Sequence, residues 1–248
     1  MLKKSSYQQT KAFLLDTLFP PKCINCNVYT FERLPNGDTV SLCEVCLDKI
    51  PILKEFKCAF CKSITADGIT CIACARKHAL DQMIAVSSYK DPLAVRIMKT
   101  MKYRFVSSIA CELARLMAGY INEFNLLPRN QNYIIIPVPL HKRRLRWRGF
   151  NQAKLIARGL NNYLNFPIDT ASVQRTRNTK PQAEIEDLIQ RSHNAHNAFV
   201  YIGSPLPNDT TVLLIDDITT TGSTLDNCAQ VLKEHGNASR VIGIVFAR

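Results

Sequence analysis

The stretch Val212 to Leu225, VLLIDDITTTGSTL, decides how this chain is read. Val212 to Ile215 have the composition of a strand buried on both faces. Asp216 and Asp217 follow at once, and a run of threonine, glycine and serine then opens a helix expected from about Ser223 to His235. Two like charges where a buried strand ends make poor surface decoration, because the strand fixes both. Ionised carboxylates only accept hydrogen bonds, so the adjacent hydroxyls of a ribose are their natural partner. The loop Thr220, Thr221, Gly222, Ser223 and Thr224 offers free N–H groups, hydroxyls and a helix start, which together favour a phosphate. Gly222 lets the backbone come close or take positive φ. The two ends describe a sugar phosphate held at both sides; the plainer alternative is a turn with Thr221 or Ser223 as helix cap.

Around this stretch, strands and helices alternate. QMIAVSSYK reads as a strand, and helices are expected over Pro92 to Tyr103 and about Val106 to Phe124. YIIIPVPL, Tyr133 to Leu140, reads as a buried strand followed by a basic loop and a helix from about Asn151 to Leu164. A further helix is expected near Ala183 to His193, and RVIGIVFA closes the chain as a strand. The pattern is that of an α/β domain with a mainly parallel sheet, whose ligands sit beyond the carboxyl ends of the strands.

The first 80 residues differ. Cysteines come in four Cys-x-x-Cys pairs, Cys23/Cys26, Cys43/Cys46, Cys58/Cys61 and Cys71/Cys74. Such pairs make tight turns whose sulfurs suit one tetrahedral zinc ion per two pairs. Two structural four-cysteine sites, a small double zinc ribbon, are expected over residues 1–80, ahead of a second domain over 81–248. Spacing permits sequential pairing or a crossed one, first pair with third. Closed sites of this kind leave no open position for catalysis. Cys111 and Cys228 lie alone in apolar patterns and read as structural thiols.

Composition narrows the class. No apolar run reaches the roughly 18 to 20 residues of a membrane span. Tyr7 to Phe19 reads as an amphipathic helix stopped by Pro20 and Pro21 rather than as an export signal. Thiol-rich pairs without such a signal place the chain in a reducing cytoplasm. The formal charge of +12 falls to about +8 when two four-thiolate zinc sites are counted. The surplus favours attraction to phosphates.

Much of it is local. Lys142, Arg143, Arg144, Arg146 and Arg148 crowd the segment after the YIIIPVPL strand, interleaved with Trp147 and Phe150. Guanidinium groups suit a pyrophosphate or a nucleic-acid backbone, and the aromatics can stack on bases. A solvated basic loop with Trp147 turned inward is the plain alternative. Arg175, Arg177 and Lys180 form a second basic loop before Pro181.

With these residues in view the chain resembles the type I phosphoribosyltransferases. More narrowly it resembles the ComF (ComFC) competence proteins and their GntX-like relatives. The likeness rests on the cysteine pairs, PVPLHKRRLRWRGFNQAKLIARGL, RTRNTKPQAEIEDLIQR and VLLIDDITTTGSTL. It implies phosphoribosyl pyrophosphate with Mg²⁺ as ligand, Asp216 and Asp217 at the ribose hydroxyls, and Thr220 to Thr224 at the 5′-phosphate. It further implies Arg148, Gly149, Asn151 and Gln152 in the pyrophosphate loop, and Arg175, Arg177, Lys180 and Gln182 in a hood that closes over the ligand. Lys102 resembles a family lysine, against the plain reading of a solvated face. The family role is DNA uptake in natural transformation, with single-stranded DNA as ligand and a competence helicase or recombination mediator as partner. A catalytic phosphoribosyltransferase acting on a nucleobase or nucleotide-derived acceptor is the alternative. Thr220 stands where purine-salvage relatives carry a general-base aspartate, and threonine cannot take a proton at neutral pH.

Overall fold

The sheet is built around the strand that carries the aspartates. The structure, a computed structural model, describes residues 17–18, 20–34, 39–103, 106–177 and 198–248. The helices expected over Tyr7 to Phe19 and Ala183 to His193 lie outside these residues, save Thr17 and Leu18, which are helical.

Along the chain come α1 (Glu44–Asp48), α2 (Ile72–Ala75), β1 (Gln82–Ser87), α3 (Pro92–Tyr103) and α4 (Ile109–Glu123). They are followed by β2 (Asn132–Pro137), α5 (Lys142–Arg148), α6 (Gln152–Leu164) and the short strands β3 (Val173–Arg175) and β4 (Phe199–Tyr201). β5 (Thr210–Ile218), α7 (Ser223–Glu234) and β6 (Arg240–Ala247) complete it. β1, β6, β5 and β2 lie side by side in that order, all parallel. β3 and β4 form a separate antiparallel pair that periodicity does not reveal. Three residues per strand are too few to show a period of two.

Residue alternation sends each strand's side chains to two cores. Ile84, Leu213, Ile215, Ile242 and Ile244 pack with α3, α4 and α6 on one face. Met83, Val212, Leu214, Val241 and Val245 pack with α7 on the other. Close approach fixes the layers: a Cβ on Gly159 of α6 would stand 2.6 Å from the Cβ of Ala114 in α4.

The two cysteine modules join opposite faces. Cys23, Leu42, Cys46 and Leu47 belong to the α4 core, whereas Ala59 and Phe60 pack with the α7 core. Glu112 of α4 holds the first module, its Oε1 accepting from Ser41 N–H at 2.7 Å and Leu42 N–H at 2.9 Å. Ser41 Oγ also lies 2.6 Å from Ser108 Oγ, and Arg115 Nη2 donates to Glu44 Oε1 at 2.7 Å.

Two local expectations differ from the structure. β5 runs past Ile215 to Ile218, so the aspartates belong to the strand instead of following it. The basic segment is a helix, α5, not a loop. His141 Nδ1 caps it by accepting from Arg143 N–H at 3.2 Å, and Gly149 ends it in the left-handed conformation at φ 78°. Seven residues without a β-branched member or glycine suit that short helix between its caps.

Candidate functional site

The period of two answers why like charges sit together. Val212 and Leu214 face α7 and Leu213 and Ile215 face α3, so Asp216 and Asp217 continue toward opposite faces. Asp217 meets Lys102 from the end of α3, with Nζ 2.9 Å from Oδ2 and both side chains largely buried. Asp216 lies on the side of Cys228 and within the field of Arg175 of β3. Burial first, and the charge of Asp217 second, pushes the Asp216 carboxyl up to about 8. Backbone also engages the pair: Asp217 N–H donates to Asp216 Oδ1 at 2.8 Å, and Ile218 N–H to Asp217 Oδ1 at 2.7 Å.

The loop turns on Gly222, which caps α7 at φ 80°, a conformation that side chains resist. Thr219 Oγ1 accepts from Gly222 N–H at 3.1 Å, and Thr221 Oγ1 lies 2.9 Å from Ser223 Oγ. Thr220 is exposed, and Ser223 and Thr224 open the first turn of α7. This is the start of a twelve-residue helix with hydroxyls and N–H groups at its mouth.

The basic segment reaches the same end of the sheet. Pro137 pairs with Ile215, and Val138 N–H donates to Ile215 O at 2.8 Å, which brings the chain after β2 beside the aspartates. Asn151 Nδ2 donates back to Val138 O at 2.9 Å, and its Oδ1 caps α6 through Ala153 N–H at 3.1 Å. Arg148 Nη1 donates to the buried Gln152 Oε1 at 3.0 Å. Arg148 Nε and Gln152 Nε2 are buried donors with no hydrogen-bond partner among the described residues. Burying donors unpaired is costly, and an oxygen-rich ligand is what such a pair accepts. Burial lowers the affinity of Arg148 for its proton, while Asp217 acts in the opposite direction.

Lys142, Arg143 and Arg146 point to solvent on α5, and Arg144 lies close enough to Arg175 to lower that guanidinium's proton affinity further, after burial. Trp147 is 59% exposed and meets the equally exposed Tyr103 edge to face, ring centroids 6.4 Å apart. The plain alternative, with Trp147 turned inward, does not hold; Phe150 instead packs against the α4 core. Arg177 is exposed just past β3, and Lys180 and Gln182 lie outside the described residues.

The cysteines gather sequentially, Cys23, Cys26, Cys43 and Cys46 in one group and Cys58, Cys61, Cys71 and Cys74 in the other. Within each group the sulfurs lie within 4.8 Å of one another. Cys26 and Cys43 sulfurs are 3.6 Å apart, and those of Cys61 and Cys71 are 3.5 Å apart. A tetrahedral zinc ion with bonds of about 2.3 Å needs sulfurs about 3.8 Å apart, so both groups fit it. Asn25 Nδ2 donates to Cys46 Sγ at 3.3 Å and Ser63 Oγ lies 3.0 Å from Cys61 Sγ, contacts that steady thiolate charge.

Some contacts were beyond the sequence. Asp226 of α7 accepts from Ala79 N–H at 2.8 Å and Leu80 N–H at 3.0 Å, with His78 Nδ1 2.7 Å from its other oxygen. Arg248 Nη2 donates to Ala59 O at 2.7 Å. No helix among the described residues is long and apolar enough to cross a membrane.

A parallel sheet delivering two acidic residues into a donor-rich helix start defines a phosphoribosyltransferase-type domain, here carrying two four-cysteine modules. The family model described as "Phosphoribosyl transferase domain" matches residues 146–248. The chain is 31% identical over 178 residues to "DNA utilization protein YhgH" of Salmonella typhi, covering 69% of this chain and 75% of that one. It is 31% identical over 224 residues to "Competence protein F" of Haemophilus influenzae, covering 87% and 92%. With "Competence protein ComFC" of Bacillus subtilis it shares 23% over 216 residues, 84% of each. The chain belongs to the ComF family of competence proteins.

Proposed function

We propose that this protein is a cytoplasmic DNA-uptake factor that binds phosphoribosyl pyrophosphate with Mg²⁺ in a crevice and single-stranded DNA along that crevice's basic rim. The observation that carries the reading is convergence. Asp216 and Asp217 end β5, the Gly222 turn follows, and Lys102, Arg148 and Arg175 bring positive charge to the carboxylates.

In this reading Asp217, and Asp216 once it gives up the proton that burial holds on it, accept from the ribose hydroxyls, and Thr220 to Thr224 donate to the 5′-phosphate. Mg²⁺ bound with the ligand would neutralise pyrophosphate oxygens, and Arg148 Nε and Gln152 Nε2, which have no partner among the described residues, donate to the same group. Lys102 holds Asp217 in place until sugar hydroxyls compete for it. The resemblance assigns Arg175, Arg177, Lys180 and Gln182 to a hood over the ligand, of which Lys180 and Gln182 lie outside the described residues. Residues 1–80 are the metal-bearing part and 81–248 the ligand-bearing part. Zinc in each four-cysteine group supplies the cross-link that a short, loop-rich segment needs to stay folded.

Single-stranded DNA lies on the outer rim. Lys142, Arg143 and Arg146 face solvent there, and Trp147 with Tyr103 offers an exposed aromatic edge on which bases stack. The names of the relatives, competence and DNA utilization, support a role in handling incoming DNA.

Salt dependence of DNA binding tests the rim. Log K should fall by about 0.7 per phosphate contact as log salt rises. Replacing Arg143, Arg144 and Arg146 together by alanine should flatten that slope by about two. Unchanged binding in the triple variant, or none by the wild type at low salt, contradicts the DNA part of the reading.

A further inference from the structure

The second four-cysteine module forms a wall of the phosphate loop. A Cβ placed on Gly222 would stand 3.4 Å from Phe60 Cε1 and 3.7 Å from the Ala59 Cβ, so the Cys58–Cys61 turn lies directly against the loop's one left-handed residue. The Phe60 ring is stacked on His78, centroids 3.4 Å apart and planes 4° from parallel. His78 faces Asp226 in the first turn of α7, the same helix that Gly222 caps. On the far side, Arg248 Nη2 donates to both Ala59 O and Cys58 O, at 2.7 and 3.2 Å. The turn is therefore clamped between the end of β6 and the start of α7. The first four-cysteine module makes none of these contacts, since it packs on the opposite face of the sheet.

We propose that Phe60 is a positioning residue for the phosphate loop, and that the second four-cysteine site and the sugar-phosphate site are thereby coupled, each favouring the ordered state of the other. The inference rests on the phosphoribosyl reading of the loop. Donors at a helix start grip an anion only while they converge. Gly222 supplies the needed turn but, lacking a side chain, no packing of its own to hold it. Phe60 supplies that packing from outside, and the metal-held turn fixes Phe60. Neither Phe60 nor His78 is a metal ligand in the geometry, and neither needs to touch the sugar phosphate. Coupling of this kind is reciprocal: filling the loop should also slow metal loss from the second site, and leave the first unaffected.

The test uses the full zinc-loaded chain with three readouts: zinc content, hydrogen exchange of the Thr220 to Ser223 amides, and calorimetry with phosphoribosyl pyrophosphate and Mg²⁺. Phe60→Ala should keep two zinc ions while loop exchange rises about tenfold and affinity falls about tenfold, the factor carried by ~1.4 kcal/mol. Phe60→Tyr, which preserves the stacked ring, should restore both to about twofold of wild type. Cys61→Ser should lose one ion and loosen the loop, whereas Cys26→Ser should lose one ion and leave the loop protected. If Phe60→Ala loses its metal, Phe60→Leu carries the same comparison with apolar bulk kept against Ala59. A zinc-loaded Phe60 variant with wild-type loop exchange overturns the proposal, as does equal loosening by Cys26→Ser and Cys61→Ser. Failure of the wild type to bind the sugar phosphate would instead remove the functional reading, and the exchange arm would still decide the coupling.

Discussion

Lys102 Nζ lies 2.9 Å from Asp217 Oδ2, joining the end of α3 to the end of β5 across more than a hundred residues of chain. Both side chains are largely withdrawn from water, so neither charge is tolerable without the other. Removing the lysine leaves two adjacent carboxylates with less compensation. Lys102→Met is expected to lower stability by about 3 kcal/mol, and adding Asp217→Asn should recover most of that loss. Urea unfolding of the single and double variants measures it; additive losses would show that the pair carries no coupling.

Asp216 predicts a pH dependence. Its carboxyl is raised to about 8 by burial and by Asp217, so the fold favours the protonated form. The stability it contributes is complete below its unfolded value of about 3.9 and is lost as pH rises through the folded value. Wild-type stability should therefore drop from about pH 5 to about pH 8 more steeply than that of Asp216→Asn. Parallel curves for the two proteins would mean that Asp216 is ionised throughout that window.

Glu112 ties the first four-cysteine module to α4 through two backbone donors. Glu112→Ala leaves both donors without their acceptor and is expected to cost about 2 to 4 kcal/mol. Glu112→Gln keeps an acceptor oxygen and should cost about 1 kcal/mol or less. Denaturant titration with zinc content followed in parallel separates the two; equal losses would assign the effect to packing alone.

Metal stoichiometry tests the pairing of the cysteines. Two zinc ions per chain are expected, and replacing Cys26 and Cys43 together by serine should remove one ion while the second site keeps its own. Native mass spectrometry counts them. Loss of both ions would favour the crossed pairing that spacing alone allows.

Much of this arrangement is legible in the sequence because it is local. An unbroken apolar run locates β6, and a helix-length stretch locates α3, over the same residues that the structure gives them. The pairs of cysteines announce two four-cysteine groups, and the run from the aspartates to Gly222 announces a strand end leading into a helix start. What stays hidden depends on contacts distant in sequence. Lys102 stands out only by its likeness to a family lysine, and its partner Asp217 stays hidden until the fold brings the two together. Phe60 reads as a residue within a metal turn until Gly222 lies against it. The basic segment after β2 reads as a loop because its caps, His141 and Gly149, are residues that also suit loops.

If Asp216, Asp217 and the Thr220 to Thr224 turn hold one phosphorylated ribose from two sides, calorimetry with phosphoribosyl pyrophosphate and Mg²⁺ will register it. The wild type should give a saturable signal with one ligand per chain, and Asp216→Ala with Asp217→Ala should abolish it while the chain, less stable because Lys102 has lost its partner, stays folded and zinc-loaded. An undiminished signal in that folded, zinc-loaded double variant would show that the carboxylates do not grip the sugar.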